Sequence, residues 1–547
     1  MMQQYIEPQF LTALEKLGVE YCSAIQFSVP RQGSHGHLAT NIAMMLAKGL
    51  GKQPRAFAEE LLTALPSSDL VQHVEIAGPG FINITFTDAV YHQMLRDLHG
   101  MADDIGRSQV GRGKTVNVEY VSANPTGPLH AGHGRNCAVG DTVANLFAWN
   151  GYQVTREYYF NNAGNQMNKL GESIYARVQH RIGNPDYPFP EDGYHGEYIH
   201  TIADIVAEVH ASEIGQITED EARTVCRKHG ERWCFEAIKR TLGSLNIQHD
   251  VYFNEDSLYG DGKVASTVEE LRSKGLVYEK DGATWFALTQ LGNQQDKVIV
   301  KSTGEATYRL PDMAYHRDKL QRGYDVVVDI FGADHIATVP DVLAGVRALG
   351  FDTDRVRVVI HQMVTFVENG EVVKFSKRSG KSFTLDELID EVGADVVRFF
   401  FIMRAVGTHL EFDLGLAKEE GDKNPVFYLQ YAHARVCSIL RKAQERGVAL
   451  NADADLSCLV HPKEIELISL LSRMKANVER SCENLEPHTI AEYLRDLAGA
   501  YHNFYHDCRI LGAEEPLESA RLLLADVTRR AMRNGLLLLG VGTPERM

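Results

Sequence analysis

At 547 residues the chain exceeds what one ordinary core organises, so several domains are expected, and a 44% hydrophobic share sets disorder aside. A net charge of −17 argues against a protein that coats nucleic acid wholesale. Eight cysteines, none in a C-x-x-C pair, imply neither a zinc knuckle nor a disulfide framework, only isolated thiols in a reducing compartment.

The N-terminal stretch MMQQYIEPQFLTALEKLG has an amphipathic helical pattern with acidic residues, without the basic start and apolar run of a signal peptide. No segment approaches the ~18 apolar residues of a membrane span, so a cytoplasmic protein with no membrane contact is expected. Residues 1–108 read as an α/β unit of their own. A helical stretch, NIAMMLAKGLGKQPRAFAEELLTAL, precedes VEIAGPGFINITF, where a Gly-Pro-Gly turn separates two alternating segments. The Gly- and charge-rich GRSQVGRGK (106–114) reads as a linker.

TVNVEYV (115–121) then predicts a strand, SANPTGPLHAGHG a turn, and RNCAVGDTVANLFAWNG a helix ending at Gly151. Further strands are predicted over 324–333 and 355–364, with the periodic ATVPDVLAGVRALG between them. This β-α-β order predicts a doubly wound, Rossmann-like parallel sheet in residues 109–420. Residues from about 165 to 290 read as a mostly helical insertion containing the strand-like ATWFAL. From 421 to 547 only helical patterns appear, predicting an all-α helical bundle. That tail carries 16 Lys/Arg against 17 Asp/Glu, so the excess acidity lies upstream, and Arg435, Arg441, Lys442 and Arg446 oppose only Glu445.

Two motifs carry chemistry. His130-Ala131-Gly132-His133 opens a helix directly after a strand. Two imidazoles beside the free N–H groups of a helix N-terminus are suited to donate to phosphate oxygens, and Gly132 leaves room for a base or ribose near the backbone. Lys374-Phe375-Ser376-Lys377-Arg378-Ser379-Gly380-Lys381 follows VENGEVV, a predicted hairpin, and places four cations and a glycine in one loop suited to β- and γ-phosphates. Alone, each motif is more often a solvated surface feature than a phosphate site. In this order, each after a strand, they resemble the HIGH and KMSK signatures of class I aminoacyl-tRNA synthetases.

The flanking segments resemble one member of that class, the arginyl-tRNA synthetase family: VEYVSANPTGPLHAGHGRN, YYFNNAGNQM, FGADHIATVPD, VVKFSKRSGKSFTLDELIDEVGADVVRFFFI and NPVFYLQYAHARVCSIL, with GHLATNIAMMLAK near the start and LGVGTPERM at the end. Ala131 replaces the isoleucine of the first signature and is expected to pack inward; Phe375 replaces the methionine of the second, whose lysines remain. The resemblance implies an enzyme that activates L-arginine with ATP, with magnesium arriving on the nucleotide, and transfers it to the terminal 2′-hydroxyl of tRNA-Arg. It implies that tRNA binds before activation. No zinc, no tightly bound cofactor and no obligate protein partner are expected, and a monomer is the simplest assembly.

It also implies site residues. His130, His133, Lys374, Ser376 and Lys377 would be catalytic. Gly132, His133, Gly332, Asp334, His335 and Lys377 would surround ATP, with backbone groups near Gln362 and Met363 at the adenine edge. Because a guanidinium is planar and always charged, its pocket needs carboxylates and neutral acceptors. Asp312 and Tyr308 would hold the arginine side chain, Ser122 and Asn124 its α-amino and carboxylate groups, and Glu119 either end, with Asn162 and Gln166 in the pocket wall. Residues 421–547 resemble the family's anticodon-binding domain, in which Tyr428, Tyr431 and Arg435 would meet unpaired bases and phosphates, as would YHNFYHD (501–507). Residues 1–108 resemble the family's additional domain, which contacts the outer corner of tRNA. Other class I synthetases lack these arginine-type flanks, a small nucleotidyltransferase would leave the helical tail unexplained, and a non-catalytic paralogue would have lost signature groups that are present.

Overall fold

The computed structural model describes residues 2–30, 35–373 and 383–547. The N-terminal segment forms a four-stranded antiparallel sheet in the order Phe27–Ser28, Leu38–Thr40, Phe81–Phe86, Val71–Ala77. The Gly-Pro-Gly turn joins its last two strands as expected. The long predicted helix is instead two, Ile42–Ala47 and Pro54–Ala64. Gly51 at φ 67° interrupts it, and Pro54 restarts it at a position where the missing N–H costs no hydrogen bond. Residues 106–114 lack regular structure yet are held rather than free. Ser108 N–H bonds the Trp149 carbonyl at 2.9 Å, and Gly106 lies so close to Met474 that an added Cβ would sit 2.9 Å from Cγ. The N-terminal segment thereby docks on the C-terminal helices, where Asn534 Nδ2 donates to the carbonyls of Asp103 at 2.8 Å and Ile105 at 2.9 Å.

The central sheet is five-stranded and parallel, in the order Val356–His361, Val326–Gly332, Thr115–Glu119, Gln153–Phe160, Val251–Asn254. The helices Gly134–Trp149 and Val339–Ala348 make the expected crossovers. The chain leaves the central strand Thr115–Glu119 to build one side of the sheet and returns to build the other, so a topological switch point lies at its carboxyl end. Val251–Asn254 lies inside the stretch read from sequence as an insertion. The inserted chain is therefore two pieces: a helical one (Gly164–Arg181, Glu197–Ile214, Glu219–Ser244) before this strand, and after it a three-stranded antiparallel sheet of Val277–Lys280, Ala283–Phe286 and Lys297–Val300. The VENGEVV hairpin forms as expected, with Asn369 and Gly370 at φ 53° and 79°.

From Pro425 onward the regular elements are helical, chiefly Pro425–Glu445, Pro462–Ser472, Met474–Asn484, His488–Asp507 and Leu517–Leu538. Fully buried Arg398 ties this bundle to helices of the central domain: it donates to Asp141 at 2.6 Å and to the carbonyls of Leu245 at 2.6 Å and Leu539 at 3.1 Å. Among the described residues, no helix is long and apolar enough to cross a membrane.

Candidate active site

The first signature forms a single 3-10 turn, Ala131–His133, leading straight into the Gly134–Trp149 helix. Close approach of that helix to the sheet requires Gly140, where a Cβ would lie 2.2 Å from Tyr120 Cβ. Ala131 packs inward, 2% exposed. The rings of His130 and His133 stack with centroids 3.6 Å apart. His133 Nδ1 accepts the His130 backbone N–H at 3.2 Å, so in the neutral ring the proton resides on Nε2. Burial, with His130 and His361 nearby, pushes the His133 pKa down to about 3, and the ring acts as a neutral N–H donor. At Gly132 a Cβ would lie 2.9 Å from the His130 ring, so the missing side chain also makes room for that imidazole.

Lys374, Ser376 and Lys377 lie outside the described residues. The segment that follows them is bonded to the first signature. Ala131 N–H donates to the Phe383 carbonyl at 2.9 Å and Leu385 N–H to the Leu129 carbonyl at 2.8 Å, with His130 and Thr384 bridged between. Thr384 then caps the Leu385–Val392 helix, exchanging hydrogen bonds with Glu387.

On the amino-acid side, Glu119 and Asp312 differ sharply. Glu119 Oε2 is paired with fully buried Lys319, and Oε1 accepts the Ser122 hydroxyl at 3.0 Å. Lys319 also donates to Asp329 at 2.6 Å, and His316 Nε2 meets the other Asp329 oxygen at 2.9 Å. Asp329 holds its charge because these cations press its pKa down, and it raises that of His316 in return. Glu119 is thus a member of a buried ion cluster, not a vacant acceptor. Asp312, one turn before His316 on the Arg309–Gln321 helix, has no side-chain hydrogen bond or ion pair among the described residues. Burial raises its pKa to about 7, with Glu119 and Glu255 adding to the shift. It borders a cavity of about 20 Å³ together with His316, Phe331, His335 and Val342.

Tyr308 starts this helix, but its ring stands in solvent, 81% exposed, rather than against Asp312. Ser122 Oγ accepts the Tyr159 N–H at 3.2 Å. Asn124 accepts the Asn161 N–H and donates to Gln166, both at 3.0 Å. Asn162 donates through Nδ2 to Glu231 of the helical insertion at 2.8 Å, while its Oδ1 is buried without a partner among the described residues.

On the nucleotide side, Gly332 ends its strand at the sheet's carboxyl rim, and the exposed Asp334 and His335 follow in a 3-10 turn with His335 stacked on Phe331 at 4.9 Å. The backbone of Gln362 is engaged within the protein. Its N–H donates to the Val406 carbonyl at 3.2 Å, and its carbonyl accepts from Arg135 at 2.9 Å. Met363 is 73% exposed. Sequence reasoning missed Arg135. It is fully buried, and besides Gln362 it donates to the carbonyls of Thr408 at 2.8 Å and Ala405 at 3.0 Å. Burial lowers its pKa to about 10, which leaves it charged. No local pattern marks it, because its partners are carbonyls brought in from distant loops.

In the C-terminal bundle, the two aromatic segments singled out from sequence meet across a cleft of about 840 Å³. Arg435 lies 4.5 Å from the Tyr431 ring and 5.0 Å from that of Tyr505, and donates to the Tyr431 hydroxyl at 2.6 Å. Tyr428 and His502 face each other at 4.9 Å. Lys442 and Arg509 complete a cationic rim.

Three family models match the chain: an arginyl tRNA synthetase N-terminal domain over residues 4–86, a class I (R) tRNA synthetase catalytic domain over 100–398, and a DALR anticodon binding domain over 429–547. The chain is similar to the arginine–tRNA ligase of Salinibacter ruber, at 46% identity with both chains covered completely. It is likewise similar to that of Desulfotalea psychrophila, at 46% identity over 95% of this chain and 94% of the relative. Among solved structures, one from Campylobacter jejuni assigned as an arginyl tRNA synthetase is 31% identical and superposes with a TM-score of 0.78 over 84% of this chain and 100% of the other. Thermus thermophilus arginyl-tRNA synthetase, at 22% identity and a TM-score of 0.73 over the whole of both chains, shares the fold.

Proposed function

The chain belongs to the arginyl-tRNA synthetases, and from that premise we propose how its own residues carry the ATP-dependent ligation of arginine to tRNA. Asp312 receives the guanidinium. The observation behind this reading is its carboxylate: half-buried, without a partner among the described residues, and at the edge of a small cavity beside the carboxyl end of the Val326–Gly332 strand. A planar cation offers two parallel donors there, and a neutral side chain of equal length leaves the carboxylate unsatisfied. Tyr308, on the same helix, closes over the side chain by turning inward. Ser122 and Asn124 orient the α-amino and carboxylate groups, while Glu119 acts indirectly, through its hold on Ser122.

ATP lies further along the same carboxyl rim, with Gly332, Asp334 and His335 at the ribose and the Met363 amide at the adenine edge. Magnesium arrives with the nucleotide. The arginine carboxylate attacks the α-phosphate in line, and pyrophosphate leaves. His133 donates its Nε2 proton in a hydrogen bond to the phosphate oxygens as charge develops, His130 supports it, and Lys374, Ser376 and Lys377 meet the departing phosphates. The terminal 2′-hydroxyl of tRNA then takes the arginyl group and AMP leaves. The cleft of Tyr428, Tyr431 and Arg435 holds anticodon bases, and residues 1–108 contact the outer corner of the tRNA. We assign the protein to the cytoplasm as a monomer with no obligate protein partner and no zinc.

The test is charging of total tRNA with each amino acid in turn, paired with ATP–pyrophosphate exchange with and without tRNA. Arginine alone should charge, and exchange should require tRNA. Charging with another amino acid would overturn the Asp312 pocket, and no charging would overturn the catalytic reading.

A further inference from the structure

Three residues beyond His133, on the same helix, one buried amide reaches across the sheet. Asn136 Oδ1 accepts the Val121 N–H at 2.6 Å, while Nδ2 donates to the Ile330 carbonyl at 2.9 Å and lies 3.3 Å from His361 Nε2. These partners stand at the carboxyl ends of three neighbouring parallel strands. His361 Nδ1 faces the Gln362 carbonyl at 3.3 Å and carries the ring proton, which leaves Nε2 to accept from Asn136. Both ends of the amide are therefore used, and they join the amino-acid loop to both nucleotide-side strands.

At Val121 the amide holds a conformation that the local sequence opposes. Val121 and Ser122 have φ of 69° and 45°, and Ser122 N–H bonds back to the Tyr120 carbonyl at 3.0 Å, closing a γ-turn around Val121. A β-branched residue in the left-handed region is sterically strained, and such strain persists only where surrounding contacts over-determine it. Here those contacts are Asn136 on the backbone and, at Ser122 Oγ, Glu119 and the Tyr159 amide. This turn aims Ser122 and, two residues on, Asn124.

We propose that Asn136 is a positioning residue that sets the separation of bound arginine and ATP by clamping the Val121–Ser122 turn to the strands that end in Gly332 and His361. The inference rests on the reading of Ser122 and Asn124 as arginine-side groups. In-line attack needs reacting atoms close to contact distance, and relaxation by roughly 1 Å costs on the order of 10²-fold in rate. Removing the acceptor would also leave a buried Val121 N–H unpaired, which drives the turn to rearrange.

The experiment measures arginine-dependent ATP–pyrophosphate exchange, with tRNA present, for Asn136→Ala, Val121→Gly and the double variant, alongside thermal melts. Asn136→Ala should lower kcat roughly 10²-fold while KM for arginine and ATP changes by no more than about threefold. Glycine enters the left-handed region without steric cost, so the double variant should regain about tenfold. A kcat for Asn136→Ala within about threefold of the parent would overturn the proposal, as would a loss confined to KM. So would a collapsed melt with no rescue by Val121→Gly, which marks a side chain that only supports the fold. A parent enzyme that fails to charge arginine would strike the underlying reading instead, so the two failures are distinguishable.

Discussion

Glu119 and Asp312 stand in one wall of the molecule in opposite electrostatic conditions. The Glu119 region is closed: two carboxylates, a lysine and a histidine neutralise one another out of solvent. The Asp312 region is open, a carboxylate lifted to about 7 with nothing paired to it among the described residues. Paired buried charges hold a geometry, and an unpaired one is a vacancy with a sign. The difference separates scaffold from recognition within a few side chains.

The comparison breaks most sharply by substitution. Asp312→Asn should lower kcat/KM for arginine on the order of 10³–10⁴-fold, read by exchange kinetics, because a neutral amide cannot pair with the guanidinium. The same change should leave the melting temperature equal or higher. A carboxyl whose folded pKa exceeds its unfolded one takes stability away as pH rises from the ordinary carboxylate range towards 7, and at neutral pH the asparagine lacks that penalty. Lys319→Met should do the reverse. It strands Glu119 and Asp329 and should destabilise the fold by about 3–5 kcal/mol in urea titrations.

A second effect lies at the phosphates. His133→Ala should slow activation on the order of 10²–10³-fold with little change in KM for arginine, and near-normal exchange would refute its role. A third lies far away. Tyr431→Ala and Arg435→Ala should each weaken tRNA binding by about 1–3 kcal/mol, with a shallower salt dependence only for the arginine change. Neither should alter arginine recognition when tRNA is saturating.

The smallest effect is pH dependence. Arginine binds the ionised form of Asp312, so KM for arginine should rise as pH falls through about 7, by on the order of tenfold between pH 8 and pH 6. His133, with a pKa near 3, should contribute nothing in this window. A flat KM profile in the parent, or an unaltered profile in Asp312→Asn, would contradict the assignment.

The sequence showed the strand–turn–helix around His130, the Asn369–Gly370 hairpin and the helical tail plainly, because each is a local pattern with its own punctuation. Val251–Asn254 was hidden because four half-buried residues offer no alternation to read, and only pairing with Gln153–Phe160 makes them a strand. The pairing of Glu119 was hidden for a related reason. Its partner is 200 positions away, and a lysine late in a polar helix reads as solvated surface until the helix is seen packed against the sheet. Arg135 and Asn136 sit beside the first signature, yet their partners are carbonyl, amide and imidazole groups on other strands and loops, which no spacing encodes.

The most direct measurement compares arginine with citrulline, its uncharged near-isostere, as substrates of the parent and of Asp312→Asn. If Asp312 reads the guanidinium charge, the variant loses arginine activity while citrulline is little affected, and the preference between them falls on the order of 10³-fold. A preference that survives the substitution unchanged would place the guanidinium elsewhere and return Glu119 or another acceptor to that role.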